Sequence, residues 1–381
     1  MAVPIAAIAM THEKDSSSVI HRIEAEAVSG MILHTNKYLQ GNNREVRTMN
    51  HSFVTRLKYA FSPPENSEQA QIYKGVYQGL GLSYHDINPQ LGNPVSIYLF
   101  QGATVKSLSE RLSLNYEWDF GLTYGWKPYD QKANPENHVI GSKTTAYIDL
   151  GLYLRWLLSH NWDLNIGATI THYSNGNTTI PNAGLNVFGI KASAAYYINR
   201  KENRILPSKV PSFDKYWGYD LTLYGAWKRK GIDTENGSYM IPGTYGVFGF
   251  NLNPLYHMNH WINLGGSLDC SYDDSAGMEI NPEALKGEFW SGTESDIYKA
   301  AWYHRIALGV SARAEFVMPY FTINFGIGHN ILNSQVSDFS GFYEILALKI
   351  GLTHQSYLHI GYSLYDFYYP NNLMLGLGLH L

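Results

Sequence analysis

The chain has 381 residues, of which 14% are aromatic and 16% charged, and it contains 35 Gly and 30 Tyr. Its formal net charge of -4 gives no support for nucleic-acid binding. The single cysteine, Cys270, excludes an intrachain disulfide, and no apolar run reaches the roughly 18 residues that a transmembrane helix needs. Instead, many segments of about ten residues alternate apolar and polar side chains, which is typical of an outer-membrane β-barrel.

The N-terminus has the character of an export signal. Its first ten residues, MAVPIAAIAM, are apolar and small, although the positively charged start of a signal peptide is missing. We interpret residues 1–18 as a signal remnant followed by an N-terminal tail. Export would bring the chain to the outer membrane of a Gram-negative bacterium.

The remaining sequence predicts sixteen strands, with boundaries good to a few residues. They lie at about 19–34, 50–62, 72–86, 95–106, 111–127, 143–157, 161–174, 184–198, 216–230, 243–254, 260–273, 299–317, 319–331, 342–353, 356–367 and 372–381. Long polar connections alternate with tight turns. Bacterial barrels place long loops outside the cell and short turns in the periplasm, so an N-terminus in the periplasm puts the long connections outside.

Alternation within the strands predicts which side chains face lipid. Even-numbered residues from Leu112 to Leu122 and from Ile148 to Trp156 are expected to face outward. The residues between them are expected to face inward. Two interpretations of the inward charges stay open: they line a pore, or they form a buried network, which a narrow barrel favours. These inward charges include Glu117, Asp119, Arg155 and Lys191.

The chain also repeats itself, because residues 356–381 line up with residues 162–190. Residues 19–198 and 216–381 each supply eight strands, joined by a periplasmic connector at 199–215. The predicted fold is therefore all-β: one closed antiparallel outer-membrane barrel of about sixteen strands, built from a duplicated eight-stranded unit. Two tandem eight-stranded barrels are the alternative. Sixteen strands leave an aqueous lumen unless it is plugged, whereas eight fill their own interior.

One hairpin carries the constellation that indicates chemistry. His172 and Ser174, two residues apart, share the outward parity of the apolar residues of their strand, and Asn186 does so on the returning strand. A serine becomes a nucleophile when a base takes its proton and a third group orients that base. The pattern therefore makes Ser174, His172 and Asn186 candidates for these three roles. A non-catalytic hydrogen-bonded pair at a strand end is the alternative.

An esterase also needs donors for the negative oxygen of its tetrahedral intermediate. Asn182, or the backbone N–H groups around Gly184, are candidates, because they lie in the loop between the two strands.

The hairpin resembles a known family. HYSN, beginning at His172, and PNAGLN, ending at Asn186, are similar to the terminal hairpin of the lipid A 3-O-deacylase (PagL) family, whose related description is acyloxyacyl hydrolase. The resemblance implies that His172 is the general base, Ser174 the nucleophile and Asn182 the oxyanion residue, with Asn175 beside the nucleophile. The family's third triad member is a glutamate, and this sequence has Asn186 in its place.

The resemblance implies an outer-membrane serine esterase that hydrolyses an ester-linked acyl chain of lipid A, and it explains the outward parity, since the substrate is a lipid of the outer leaflet. The second half, 216–381, is then a degenerate repeat that lacks the polar constellation. We expect no cofactor and no metal. A non-catalytic barrel, either a diffusion pore or a structural scaffold, is the alternative function.

Overall fold

The computed structural model describes residues 19–64, 67–176, 178–201, 209–234, 237–281, 285–286, 289–290, 294–367 and 369–381. The predicted signal remnant lies outside these residues. The chain divides into two compact units, each built around one closed antiparallel barrel. Within the described ranges, no helix is long and apolar enough to cross a membrane.

The first barrel contains eight strands, each paired with the next along the chain, and it closes by pairing the first with the eighth. The strands are β1 (Ile20–Ile32), β2 (His51–Ser62), β3 (Tyr77–Asp86), β4 (Val95–Ser107), β5 (Leu112–Tyr124), β6 (Thr144–Leu157), β7 (Trp162–Ser174) and β8 (Leu185–Ile198). A short helix, α1 (Glu68–Ile72), interrupts the connection between β2 and β3. It begins at Ser67, whose side chain accepts a hydrogen bond from the Ala70 N–H.

The second barrel closes by pairing its first strand with its last. Its strands are β9 (Tyr216–Lys228), β10 (Tyr245–His257), β11 (Ile262–Asp273), β12 (Ile306–Val317), β13 (Phe321–Leu332), β14 (Phe342–Gly351), β15 (Ser356–Tyr365) and β16 (Tyr369–His380). Within the described residues, its connections contain 3₁₀ turns at Glu294–Asp296, Trp302–Arg305 and Ser337–Phe339. The described residues there also form short strand pairs: Gly231–Thr234 with Gly237–Met240, Glu279–Ile280 with Ile297–Tyr298, and Leu285–Lys286 with Phe289–Trp290.

The all-β class and the sixteen barrel strands of a duplicated unit are confirmed. The closure differs from the arrangement that we favoured. Strand β1 pairs with β8, and β9 pairs with β16, so the chain forms two tandem eight-stranded barrels and not one of sixteen strands. The physical reason lies in the interior, because eight strands enclose a space that side chains alone can fill.

A buried ion network fills the interior of the first barrel. Arg56 donates to Glu26 at 2.9 Å, and Lys58 donates to both Glu26 and Glu117, at 2.9 and 2.7 Å. Lys191 lies 2.8 Å from Glu117, and none of these side chains is more than 3% exposed. Arg56 also pairs with the buried Asp119 and Asp149, and the partly buried Arg155 pairs with the buried Asp163. Of the two interpretations of the inward charges, the buried network is therefore the one that the first barrel adopts.

The outer wall of the first barrel is apolar, as predicted. In β6, Leu150 is 60% exposed, whereas the neighbouring Asp149 is 2% exposed and points inward. In β5, Leu122 is 56% exposed, but Trp118 is buried although it is the register partner of Leu150 on the outward face. The register therefore agrees with the predicted facing, while part of the outward face of β5 is covered. A closed barrel satisfies all the backbone hydrogen bonds of its strands internally, so this apolar wall is suited to hydrocarbon.

Candidate active site

The predicted site residues lie at one end of β7 and β8, on the outer wall of the first barrel. The register places His172 directly opposite Asn186, and Ser174 opposite Ala146 of β6. All three site side chains are partly buried and share the outward face with the exposed Ile170. The long connections 33–50, 87–94, 125–143 and 175–184 all leave this end of the barrel.

His172 has a defined partner. Its Nδ1 atom lies 2.6 Å from the amide oxygen of Asn186. A carbonyl oxygen can only accept, so Nδ1 carries the proton and donates it. In the neutral ring Nε2 is then unprotonated, which is the state that a general base needs. Directly opposed residues have their Cβ atoms about 5 Å apart, so this contact follows from the register.

The Ser174 side chain also has a defined partner. Asn182 Nδ2 donates to Ser174 Oγ at 2.9 Å, and the backbone N–H of Asn175 donates to Asn182 Oδ1 at 3.1 Å. Since a backbone N–H can only donate, it fixes the amide of Asn182 with its NH₂ group toward the serine. The structure thus places an amide donor directly beside Ser174 Oγ.

The backbone N–H of Gly184 holds the loop in place, whereas the sequence predicted it as a possible oxyanion donor. Its N–H donates to the Val139 carbonyl at 3.1 Å, and the N–H of Ala183 donates to the His138 carbonyl at 3.2 Å. The structure does not support an oxyanion role for these groups, because both donors are already engaged. Gly184 instead has a φ of +73°, and a Cβ atom there would lie 3.0 Å from Cε1 of His172. A glycine therefore lets the His172 ring pack closely against the loop.

These loop contacts were not predicted. The connection 125–143 supplies the carbonyls of His138 and Val139, and the connection 33–50 supplies the N–H of Leu33, which donates to the Asn186 carbonyl at 2.9 Å. All three are bonds between backbone groups of residues far apart in sequence. Residue types carry no signal for such bonds, because every residue except proline offers the same two groups.

The connections around the site share a buried core that continues into the barrel interior. Its members include Tyr38, Leu39, Leu91, Trp126, Val139 and Ile140. The Tyr38 hydroxyl donates to the Asn134 side chain at 3.3 Å, and burial raises the pKa of Tyr38 to about 12. This packing holds the carbonyls that position Gly184. In the part of the chain that the structure describes, no group of three or more His, Cys, Asp or Glu side chains is arranged to hold a metal ion.

A closed barrel with an apolar outer wall and a polar site at its rim defines the class of the protein: an outer-membrane β-barrel with a lipid-facing site. Residues 54–195 match the family model described as lipid A 3-O-deacylase (PagL), and residues 217–381 match the model described as acyloxyacyl hydrolase, C-terminal domain. The chain belongs to this lipid A deacylase family. Its location in the Gram-negative outer membrane is likewise as predicted.

Several solved structures are similar to about half of the chain. The outer membrane enzyme PagL is 13% identical, with 45% of this chain and 97% of that chain covered and a TM-score of 0.32. Neisserial surface protein A is 11% identical, with 47% and 96% covered and a TM-score of 0.30. The N-terminal barrel domain of Pseudomonas aeruginosa OprF is 10% identical, with 46% and 97% covered and a TM-score of 0.27. No curated protein matches the chain in sequence.

Proposed function

We propose that the chain is a serine esterase that removes an ester-linked acyl chain from lipid A. Ser174 is the nucleophile and His172 the general base. The observation that carries the proposal is the 2.6 Å contact between His172 Nδ1 and Asn186 Oδ1, beside the hydrogen-bonded Ser174 and Asn182. These four residues lie within the segment that matches the deacylase model.

In the proposed reaction, His172 Nε2 takes the proton of Ser174 as Oγ attacks the ester carbonyl carbon. Asn182 Nδ2 donates to the oxygen that becomes negative. The bond between the carbonyl carbon and the sugar oxygen then breaks, and His172 gives its proton to that oxygen. A water molecule, deprotonated by His172, then attacks the acyl carbon; the bond to Ser174 Oγ breaks, Oγ takes the proton back from His172, and the acyl chain leaves as a fatty acid.

The hydrogen bonds around Ser174 are compatible with attack. A hydroxyl group has one donor and two acceptor lone pairs, so Ser174 can accept from Asn182 while it donates to His172. Side chains two residues apart on a strand share a face at roughly 7 Å, which rotation of both side chains can bridge.

Asn186 is the feature that separates this site from the family pattern. Its amide oxygen orients the His172 ring, as a carboxylate would. It carries no charge, however, so it stabilises the imidazolium of the transition state less. We therefore expect a productive geometry with a lower rate than a glutamate would support.

The place of the site supports a lipid substrate. His172 and Ser174 lie on the outer wall, at the end from which the long loops leave, and bacterial barrels direct that end to the outside. The ester bonds of lipid A lie where its sugars meet its acyl chains. A site on the lipid-facing rim meets them at that level without removing the lipid from the membrane.

The alternative functions differ in their support. The ion network in the first barrel argues against a diffusion pore through that barrel. A scaffold with an inherited, inactive hairpin is favoured by one observation, the neutral Asn186 in place of a carboxylate.

Mass spectrometry of lipid A decides between the esterase and the scaffold. Lipid A from cells that make the protein is expected to lose the mass of one acyl chain, and lipid A from cells that make the Ser174→Ala variant is expected to keep it. Heat-dependent gel mobility checks that both proteins are folded. An unchanged spectrum with the folded parent protein would contradict the proposal and favour the scaffold.

A further inference from the structure

A tyrosine with no part in the proposed chemistry lies between the two proposed reactive side chains. Tyr173 separates His172 from Ser174 on β7, and alternation turns its side chain into the barrel while theirs face outward. It is 1% exposed. In the described ladders, Tyr173 is the last residue of β7 that is paired with both β6 and β8, and Ser174 is paired with β6. The proposed nucleophile therefore stands just beyond the part of β7 that is held on both sides.

The hydroxyl group of Tyr173 reaches across the barrel interior. It lies 2.9 Å from Nδ1 of His85, a buried residue of β3. In the order of the closed barrel, three strands separate β3 from β7 on either side, so these two strands form opposite walls. The hydrogen bond between Tyr173 and His85 therefore joins the end of β7 to the wall across from it.

His85 is itself held on its other ring nitrogen. Its Nε2 atom lies 2.8 Å from Ser83 Oγ and 2.7 Å from Ser96 Oγ. Ser96 Oγ in turn lies 2.7 Å from the hydroxyl group of Thr123, on β5. A hydroxyl group can donate or accept, so each nitrogen of His85 has a suitable partner in either tautomer. The anchor of Tyr173 thus extends over β3, β4 and β5.

Aromatic neighbours fix the ring of Tyr173. Its centroid lies 5.2 Å from that of Trp126 and 5.4 Å from that of His85, both edge-on, and 5.7 Å from that of Tyr147. These separations are those of attractive aromatic pairs. Removal of the hydroxyl group alone would therefore leave the packing of the ring and break the connection across the barrel.

The position of this backbone matters for the proposed reaction. The side chains of His172 and Ser174 start roughly 7 Å apart and must approach hydrogen-bond distance for proton transfer. The end of a strand opens more readily than its middle, because fewer contacts hold it. A displacement of about 1 Å at a reacting group can lower a rate by roughly 100-fold. An anchor inside the barrel restrains the backbone and leaves the outer face free for a lipid.

We propose that Tyr173 is a positioning residue: its hydrogen bond to His85 across the barrel holds the end of β7, and with it the relative placement of His172 and Ser174. Tyr173 touches no substrate. The inference rests on the proposed esterase, because it assigns a role within the same site. It makes the barrel interior part of what sets the rate, although the lipid stays outside.

Removal of one hydroxyl group tests the proposal. In the full chain, Tyr173→Phe is expected to lower kcat for fatty acid release from lipid A in mixed micelles by about tenfold. KM should stay the same, because the surface that binds the lipid is unchanged. Tyr98→Phe is the matched control and should leave kcat unchanged. Tyr98 is buried in the same barrel with its ring 5.0 Å from that of Tyr147, and its hydroxyl group has no hydrogen-bond partner among the described residues.

Two substitutions of His85 separate its bond to Tyr173 from its bonds to the serines. The amide of asparagine lies as many bonds from Cα as Nδ1 of histidine does, and the amide of glutamine as many as Nε2. His85→Asn keeps a partner for Tyr173, so we expect it to retain most of kcat. His85→Gln loses that partner and should match Tyr173→Phe. The two changes together should lower kcat no further, because both remove the same hydrogen bond.

Amide hydrogen exchange gives a measurement that needs no activity. In Tyr173→Phe, the backbone N–H groups of residues 171–175 are expected to exchange severalfold faster, because this end of β7 opens more often. Residues 163–167, at the other end of the strand, should exchange at the parent rate. Tyr98→Phe should match the parent protein at both ends. Heat-dependent gel mobility checks that every variant is folded.

Three results would overturn the positioning role. They are a parent-like kcat for Tyr173→Phe, equal losses in Tyr173→Phe and Tyr98→Phe, and unchanged exchange at residues 171–175. A folded parent protein that releases no fatty acid would instead refute the proposed esterase. Faster exchange in Tyr173→Phe would in that case still support the anchoring of β7 by His85.

Discussion

His172 and Asn186 face each other directly across β7 and β8, and His172 Nδ1 lies 2.6 Å from the amide oxygen of Asn186. Because the two residues are register partners, a slip of one residue would turn Asn186 into the barrel interior. The pairing of the two strands therefore positions residue 186. A substitution there changes the group that faces His172 and leaves the backbone in the same place.

Removing the proposed nucleophile should abolish the reaction. We expect Ser174→Ala to lower the rate of deacylation by several powers of ten. Catalytic residues act as a unit, so the loss of one removes most of the rate that they provide together. The measurement is the rate of fatty acid release from purified lipid A. Ser29→Ala, which changes an outward-facing serine on β1 of the first barrel, is the control and should leave the rate unchanged. A parent-like rate for folded Ser174→Ala would exclude Ser174 as the nucleophile.

Substitutions of Asn186 should separate two effects: the orientation of the His172 ring and the stabilisation of its charged form. Asn186→Glu keeps an acceptor for His172 and adds the charge that stabilises imidazolium, so we expect it to keep or raise the rate. Asn186→Leu removes the acceptor and should lower the rate, though less than Ser174→Ala does. The three rates are compared on the same lipid A substrate. If only Asn186→Glu were active, the natural protein would be an inactive enzyme whose barrel and remaining site residues are intact.

A methyl group at Gly184 should disturb the base. In Gly184→Ala the new Cβ atom would lie 3.0 Å from His172 Cε1, at a φ of +73° that alanine rarely adopts. We expect the ring to shift and the rate of deacylation to fall. Gly41→Ala is the control: its φ is +115°, but the nearest atom to the added Cβ atom lies 3.6 Å away. Equal losses in the two variants would indicate backbone strain and not displacement of His172.

The ion network should stabilise the first barrel. Lys58→Met leaves the buried Glu26 and Glu117 without one of their cations. Breaking a buried pair on one side costs about 3–5 kcal/mol, so the temperature at which gel mobility changes should fall clearly. Lys37→Met, in an exposed loop, is the control and should have little effect. A similar midpoint for both variants would show that the network contributes little to stability.

Disulfide trapping should show which strand pairs with β1 to close the first barrel. In a Cys270→Ser background, Ala27→Cys and Ala192→Cys are register partners on β1 and β8, and we expect them to crosslink under mild oxidation. Ala27→Cys with Leu377→Cys, on β1 and β16, should not crosslink. The shift of the intact chain on a non-reducing gel is the measurement. A crosslink in the second pair alone would contradict two separate closures.

Local sequence determined the barrel strands, the facing of their side chains and the candidates for the site. The alternation of Asp149 with Leu150 predicts one inward and one outward side chain, because the period of a strand depends only on adjacent residues. The same reasoning placed His172 and Ser174 on the outer wall. The pairing of His172 with Asn186 also followed from one hairpin, in which the two strands are neighbours along the chain.

Tertiary structure alone decided the closure and the part played by Gly184. Every strand has two neighbours in either arrangement, so local alternation is the same for one barrel of sixteen strands and for two of eight. The choice depends on side chains far apart in sequence, such as Lys58 and Glu117, which meet only once the narrower barrel is formed. The Gly184 N–H is likewise engaged by the carbonyl of Val139, a backbone group that no residue type reveals.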